Sequence, residues 1–389
     1  MRVAIARTMA EFSIDVHTNG LISGLKAVRP DWEIIELAPR SFDRNNSSWL
    51  LRVQKYYERF WRYPRRVKQQ TADIFHIIEP CDAHLVYWLK QTGQPAIVTC
   101  HDLINFFYRD NLKGSVQLPL VSRNAWIYAV KGMKYADRII AVSSATAKDT
   151  TQILNIEPAR ISVIPNAVEA IFRPLPKVEV ESFRARQGID KETFCLLNVG
   201  VNHPRKNISN ILQAVAFLVQ KGLPIQFWKV GADFNTEQKE FIQSHNLTKW
   251  IKYFGKPDKS TLIQLYNAAN VLIAPSLHEG FGITILEAMA CGTPVITSNV
   301  SAMPEVVGDA GILVNPNNPM EIADAVICLQ KDLTYYQDLV NKSLHRVKSF
   351  TWEKTAEQVA KVYEELLSTR SSSDRIVSNN YLKITTGRK

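Results

Sequence analysis

At 389 residues, with 46% hydrophobic and 22% charged side chains, the chain has the size of two or three soluble globular domains and is neither disordered, collagen-like nor a disulfide scaffold. Lys and Arg number 47 against 37 Asp and Glu, a net charge of +10, which favours anionic partners: phosphates, nucleic acid or an anionic membrane face. No stretch reaches the roughly 18 uncharged apolar residues of a spanning helix, the N-terminus has no signal-peptide pattern, and Cys81, Cys100, Cys195, Cys291 and Cys328 form no CxxC pair, so reduced thiols and a cytoplasmic location are expected.

Residues 2–6 form a short β-like run. From Ser13 to Val28, Ile14, Leu21, Leu25 and Val28 recur at helical spacing, with Ser13 as the expected N-cap and Arg29-Pro30 as the stop. Further strands are predicted at 33–37, 73–78, 96–100, 138–142 and 160–165. Their alternation with helical segments implies βαβ units and a mainly parallel sheet. Residues 172–177 are Pro-rich and read as a linker. The rhythm then restarts with a strand at 194–200, a helix at 207–220, and strands at 225–231, 251–254, 271–274, 294–297 and 311–314. The expectation is an α/β fold of two similar domains, 1–172 and 173–350. The tail, 368–389, is rich in Ser, Thr and Asn and is expected to lack regular structure.

Residues 49–70 fall outside this rhythm. Arg52, Lys55, Arg59, Arg62, Arg65, Arg66 and Lys68 lie among Trp49, Tyr56, Tyr57, Phe60, Trp61 and Tyr63, with Glu58 as the single acid. Cations together with Trp and Tyr suit an anionic membrane surface. The alternative is an ordinary helix with buried aromatics and a solvated Arg face. Nucleic acid is not expected as a partner, because neither zinc-ligand spacing nor an RNP-like aromatic motif is present.

Three stretches carry candidate chemistry. In the first, a strand at 271–274 runs into a loop with Glu279, then Gly280-Phe281-Gly282, and a helix that begins near Ile283. Free N–H groups at such a helix start suit a diphosphate. Glu287 lies about one helical turn on, so the two carboxylates serve different atoms. The bland alternative is that Glu279 caps the helix and Glu287 is a surface charge. In the second, Gly200 ends a strand and Arg205-Lys206-Asn207 opens the next helix. An Arg fork and a Lys point charge there form a phosphate clamp, unless they are simply solvated. In a parallel sheet both stretches fall at the carboxyl ends of strands, where ligands bind. In the third, His101-Asp102 ends the 96–100 strand, and His101 is placed to bond a sugar hydroxyl or handle a proton.

His278-Glu279-Gly280-Phe281-Gly282-Ile283-Thr284-Ile285-Leu286-Glu287 resembles the signature of the retaining GT-B glycosyltransferases of family 4. Gly200 with Arg205-Lys206-Asn207 resembles the family's donor-phosphate loop. Ile164-Pro165-Asn166, Phe350-Thr351-Trp352 and His101-Asp102 also match. The resemblance covers roughly residues 1–367. It implies two Rossmann-like domains facing a cleft, with residues 351–367 a helix crossing back onto the first domain. It implies transfer of a hexose from a UDP- or GDP-sugar to an acceptor hydroxyl; the charge pattern of residues 49–70 points to a glycolipid or lipid-linked saccharide at the cytoplasmic membrane face as that acceptor. A soluble acceptor or a same-fold epimerase is the alternative. Glu279 would meet the donor sugar near its reacting carbon and His101 its hydroxymethyl end. Arg205 and Lys206 would hold the leaving diphosphate, Glu287 the ribose, and Gly282, Ile283 and Thr284 the phosphate and sugar. No cofactor is implied. No Asp-x-Asp is present, so no metal is expected, and no nucleophile is assigned. The family's glycine pair after the first strand is absent from residues 8–15.

Overall fold

The computed structural model describes residues 1–9, 12–42, 48–107 and 120–386. Its strands form two six-stranded sheets. The first is built from β1 (Arg2–Ala6), β2 (Glu33–Leu37), β3 (Ile74–Ile77), β4 (Ala96–Cys100), β5 (Arg138–Ala141) and β6 (Ile161–Val163), in the order β2-β1-β3-β4-β5-β6. The second is built from β7 (Phe194–Gly200), β8 (Ile225–Gly231), β9 (Ile251–Tyr253), β10 (Val271–Ala274), β11 (Val295–Ser298) and β12 (Ile312–Val314), in the order β12-β11-β10-β7-β8-β9. Every described pairing is parallel; Ala4 opposes both Ile35 and Phe75, and Leu272 opposes Leu197 and Val295. Val3–Ala6 are wholly buried because helices cover both sheet faces, which is why these strands read as continuous apolar runs.

Strand order reverses between β1 and β3 in the first sheet and between β7 and β10 in the second. Crossovers leave in opposite directions at such points, so a crevice opens beyond the strand ends. Gly200 ends β7, and the loop after β10 carries Glu279; Glu79 and His101 follow β3 and β4.

The last helix, Trp352–Thr386, crosses back to the first domain. Its Ala356, Val359, Ala360 and Tyr363 share a core with Leu21 and Leu25 of the first helix, Phe12–Val28. Tyr363 Oη lies 2.6 Å from His76 Nδ1, and His76 Nε2 lies 2.7 Å from Thr99 Oγ1, so the helix is tied to the sheet interior. The two helices approach closely because Gly20 and Gly24 face the crossover. A Cβ on Gly24 would overlap the Trp352 carbonyl oxygen and come within 2.8 Å of Ala356 Cβ. Gly24→Ala therefore lowers stability by about 1–3 kcal/mol in urea unfolding, whereas its higher helix propensity alone would raise it.

Two expectations differ from the structure, and a third falls partly outside the described residues. The first helix begins at Phe12, so Ser13 lies inside it rather than at its cap. Residues 10 and 11 of the glycine-less loop lie outside the described residues. Residues 368–386, expected to lack regular structure, continue the last helix, as no Gly or Pro interrupts the chain before Gly387.

Residues 49–70 are helical almost throughout: Trp49–Tyr57, one π-turn at Glu58–Arg62, and Tyr63–Lys68. The π-turn redirects the side chains. Tyr63 and Val67 enter the core, while Trp49, Tyr57 and Trp61 remain 70%, 58% and 52% exposed. Among the described residues no helix is long and apolar enough to cross a membrane.

Candidate active site

The Gly200 and Glu279 loops are stitched together. Asn207 holds a left-handed backbone (φ 60°), and its side-chain amide donates to the carbonyls of Pro275 (3.0 Å) and Pro316 (2.6 Å). Leu277 N–H donates to the Arg205 carbonyl at 2.7 Å. Gly200 adopts φ 145°, and a Cβ there would sit 3.4 Å from Lys206 Cε, so glycine leaves room for the lysine.

This framework brings Arg205, Lys206 and Glu279 into one cluster. Arg205 Nη1 lies 2.5 Å from Glu279 Oε2, and Lys206 Nζ lies 2.6 Å from Glu279 Oε1. Ser276 Oγ donates to Oε1 at 2.8 Å. Burial pushes the Glu279 carboxyl upward, but the Lys206 and Arg205 charges outweigh it and hold the group down at about 2. Glu279 does not cap the following helix; Gly282, at φ 103°, occupies the cap position of Ile283–Ala290. Glu287, one turn further, is half-buried and within electrostatic reach of Lys206, but its hydrogen bond goes elsewhere. Tyr266 Oη donates to its Oε2 at 2.6 Å, and burial raises the carboxyl to about 7.

A cavity of about 420 Å³ lies between the domains. Arg205 and Ile283 line it from the second domain and His101 from the first. Lys206 and Glu279 stand directly behind Arg205, and Gly282 and Thr284 flank Ile283. Glu287 lies a helical turn away, bonded to Tyr266. Burial lowers His101 to about 4, so the imidazole is neutral at physiological pH and suited to hydrogen bonding rather than to carrying charge.

Residues that local patterning did not single out complete the site. Lys229, fully buried on β8, donates from Nζ to the carbonyls of Gly200 and Val230, both at 2.8 Å, and so pins the loop after Gly200; burial lowers it to about 8. Its signal was a lysine inside an apolar strand run. Across the cleft, the helix Ser144–Leu154 of the first domain docks on the Glu279 loop. Ser143 Oγ and Thr146 Oγ1 donate to the Gly280 carbonyl at 2.6 and 3.0 Å. Asp149 meets His278 at 3.0 Å, and Glu305 accepts from Ser144 N–H at 2.8 Å. Gly280 itself abuts the backbone of His101: a Cβ there would overlap the His101 carbonyl oxygen.

Two parallel α/β domains that face a cleft, with a cation and carboxylate cluster beside a helix N-terminus, have the architecture of a GT-B fold. The family model described as Glycosyl transferases group 1 matches residues 179–346, and that described as Glycosyltransferase Family 4 matches residues 11–170. The chain belongs to the group 1 glycosyltransferases of the GT-B fold. It is 30% identical over 234 residues to O-antigen chain mannosyltransferase B of Escherichia coli, covering 59% of this chain and 61% of that one. It is 29% identical over 314 residues to a D-inositol 3-phosphate glycosyltransferase of Acidothermus cellulolyticus, covering 75% of this chain and 68% of that one. The chain spans only about a third (34%) of the serotype-specific mannosyltransferase WbdA of Escherichia coli, at 26% identity over 72% of its own length. Among solved structures, sucrose-phosphate synthase of Thermosynechococcus elongatus superposes with a TM-score of 0.76 at 21% identity, over 95% of this chain and all of that one. HepE of Anabaena in complex with UDP superposes with a TM-score of 0.72 at 16% identity, over 94% and 100%.

Proposed function

We propose that this chain transfers a hexose from a UDP- or GDP-sugar to a hydroxyl of a lipid-linked or glycolipid saccharide at the cytoplasmic membrane face, with retention at the sugar carbon. The observation that carries this reading is the convergence of Arg205, Lys206 and Glu279 on the cleft where Ile283 opens a helix and His101 faces it. In this reading residues 1–172 form the acceptor-side domain, 173–350 the donor domain and 351–367 the crossover. The diphosphate sits on Arg205, Lys206 and the N–H groups behind Gly282, which offset its charge as a divalent cation otherwise would. Glu279 holds both cations in place and lies near the reacting carbon, and Glu287 accepts the ribose hydroxyls. His101 bonds the donor sugar. The mannosyltransferase and UDP-bound relatives support the substrate class. Retention is supported by the Glu279 to Glu287 signature.

Calorimetry with UDP, GDP and their hexose conjugates tests the donor site. One nucleotide series binds, and turnover with that donor is unchanged by excess EDTA. Because Glu287 is raised to about 7, an ionised carboxylate that accepts ribose hydroxyls strengthens donor binding roughly tenfold from pH 6 to pH 8. Glu287→Gln removes that slope. A flat wild-type profile removes the ribose role, and failure of every nucleotide to bind removes the reading altogether.

The membrane part rests on residues 49–70. Arg59 is committed to Asp82, and Arg62 and Arg66 to Glu58. Among the described residues no ion pair engages Arg52, Lys55 or Arg65, which lie beside the exposed Trp49, Tyr57 and Trp61. At about 1 kcal/mol per cation, three suffice for reversible attachment that weakens with salt. The protein therefore sediments with vesicles containing anionic lipid at low salt and less so at moderate salt. No sedimentation in either condition ends this part of the reading.

A further inference from the structure

The donor cations lie on one side of the cavity; the opposite side has a different chemistry. The first-domain wall is formed by His17, Glu79, His101, Asp102, Asn166 and Trp352. These come from the first helix, the ends of β3 and β4, the loop after β6 and the start of the crossover helix. The wall sits at the first sheet's own reversal of strand order, the second crevice of the molecule. Among the described residues it carries two carboxyl groups and no Lys or Arg, and the one cation lining the cavity is Arg205, on the facing domain and already bonded to Glu279.

Four of the side chains on this wall keep a buried polar atom that has no hydrogen-bond partner among the described residues: His17 Nδ1, His101 Nε2, Asn166 Oδ1 and Trp352 Nε1. They are neighbours. The His17 ring stands edge-on to His101 at 4.5 Å and to Trp352 at 5.4 Å. Buried polar groups are nearly always paired, so, with His101 given to the donor sugar, the other three mark a place where a second polar ligand completes the bonding. Their chemistry selects that ligand. Trp352 Nε1 only donates, Asn166 Oδ1 only accepts, and a neutral imidazole nitrogen does either. Burial lowers both His17 and His101, so neither supplies a positive charge. A hydroxyl group donates and accepts, and satisfies such a set. A phosphate dianion or a carboxylate only accepts, leaves Asn166 Oδ1 unpaired and meets Glu79 and Asp102 where, among the described residues, the one cation is Arg205, already engaged by Glu279. At about 420 Å³ the cavity falls within the ~300–1,000 Å³ usual for small-molecule sites, so it has room for a sugar ring beside the donor hexose.

We propose that His17, Glu79, Asn166 and Trp352 form the subsite for the receiving ring of the acceptor, that this ring is a neutral, hydroxyl-bearing pyranose, and that the subsite rejects rings bearing phosphate or carboxylate. The proposal rests on the donor reading above and adds the identity of the receiving group. A lipid-linked acceptor keeps its phosphate remote from this wall, with only its outer sugar entering.

The test uses the full chain saturated with whichever of UDP or GDP binds by calorimetry. Methyl α-mannopyranoside, methyl α-glucopyranoside and methyl β-galactopyranoside are compared with the 6-phosphates of the same hexoses by saturation-transfer NMR. At least one neutral hexoside binds, and its phosphate binds at least about tenfold more weakly. Asn166→Ala and Trp352→Phe each weaken hexoside binding by about fivefold to tenfold with nucleotide affinity unchanged, since each leaves a ring hydroxyl without its partner. Glu79→Gln narrows the gap between neutral and phosphorylated rings. Equal or tighter binding of the phosphates overturns the proposal. So does normal nucleotide binding with no hexoside bound, or hexoside binding indifferent to both Asn166→Ala and Trp352→Phe. Loss of nucleotide binding in the unmodified chain is a separate result: it removes the donor reading, and this proposal with it.

Discussion

Arg205→Ala and Lys206→Ala each lower sugar transfer by about 100-fold or more, the loss expected when one preorganised donor to a developing charge is removed, about 3–4 kcal/mol in the transition state. Both cations are anchored on Glu279, at 2.5 and 2.6 Å, and Arg205 also donates to the His278 carbonyl at 3.2 Å. They are therefore already oriented before the diphosphate leaves. The same pairing has a stability consequence that has to be separated from catalysis. Glu279 is held at about 2 when folded, against 4.5 for an ordinary glutamate, so its pairing contributes stability above pH 4.5 that is lost as the pH falls toward 2. Removing one cation leaves the carboxylate with a single cationic partner beside Ser276 Oγ, so each variant melts lower near neutral pH, where wild type has the benefit of both cations. Arg205→Lys keeps the charge but loses the fork, and it recovers melting more fully than turnover. Release of nucleoside diphosphate is measured for each variant at a temperature where all remain folded. Near-normal turnover by both alanine variants is the result that refutes the phosphate clamp.

Gly280→Ala is the second large effect, and it isolates closure of the two domains. The added methyl overlaps the His101 carbonyl oxygen and reaches within 2.8 Å of Asp102 Cβ, both on the opposite domain. The Gly280 carbonyl also receives Ser143 Oγ and Thr146 Oγ1. Backbone cannot yield as the end of a flexible side chain does, so the domains separate at this point instead. A displacement of about 1 Å between groups that must align costs on the order of 100-fold in rate. Transfer falls by that amount while each domain stays folded. Nucleotide binding, built almost wholly on the second domain, changes little. Small-angle scattering records a wider particle. Wild-type transfer with an unchanged scattering profile would show that this contact does not set the working geometry.

Much of this architecture was legible from the chain alone. The strands were readable because buried parallel strands are short apolar runs and each stops at a polar or glycine-bearing turn; Phe194–Gly200 followed by Arg205-Lys206-Asn207 is the clearest case. The proposed phosphate-binding half was readable for a related reason. Arg205 and Lys206 are neighbours in sequence, and Gly282 directly precedes the helix whose N–H groups it exposes, so local order already implies their proximity. Residues 49–70 were readable only as a composition; the π-turn at Glu58–Arg62 that sends Tyr63 inward and leaves Trp61 outside depends on packing against the sheet.

What the chain alone determined about this protein is therefore its two-domain parallel fold and the short-range pieces of the proposed phosphate site, because backbone propensity, glycine placement and strand-end position act over a few residues. Only the tertiary structure decided that Glu279 bridges both cations, that Glu287 turns to Tyr266, that Ser143 reaches Gly280 across 137 residues, and that His17, Asn166 and Trp352 face one cavity. Those relations join segments whose spacing along the chain carries no information about their distance in space; they follow from how the two sheets and the returning helix pack.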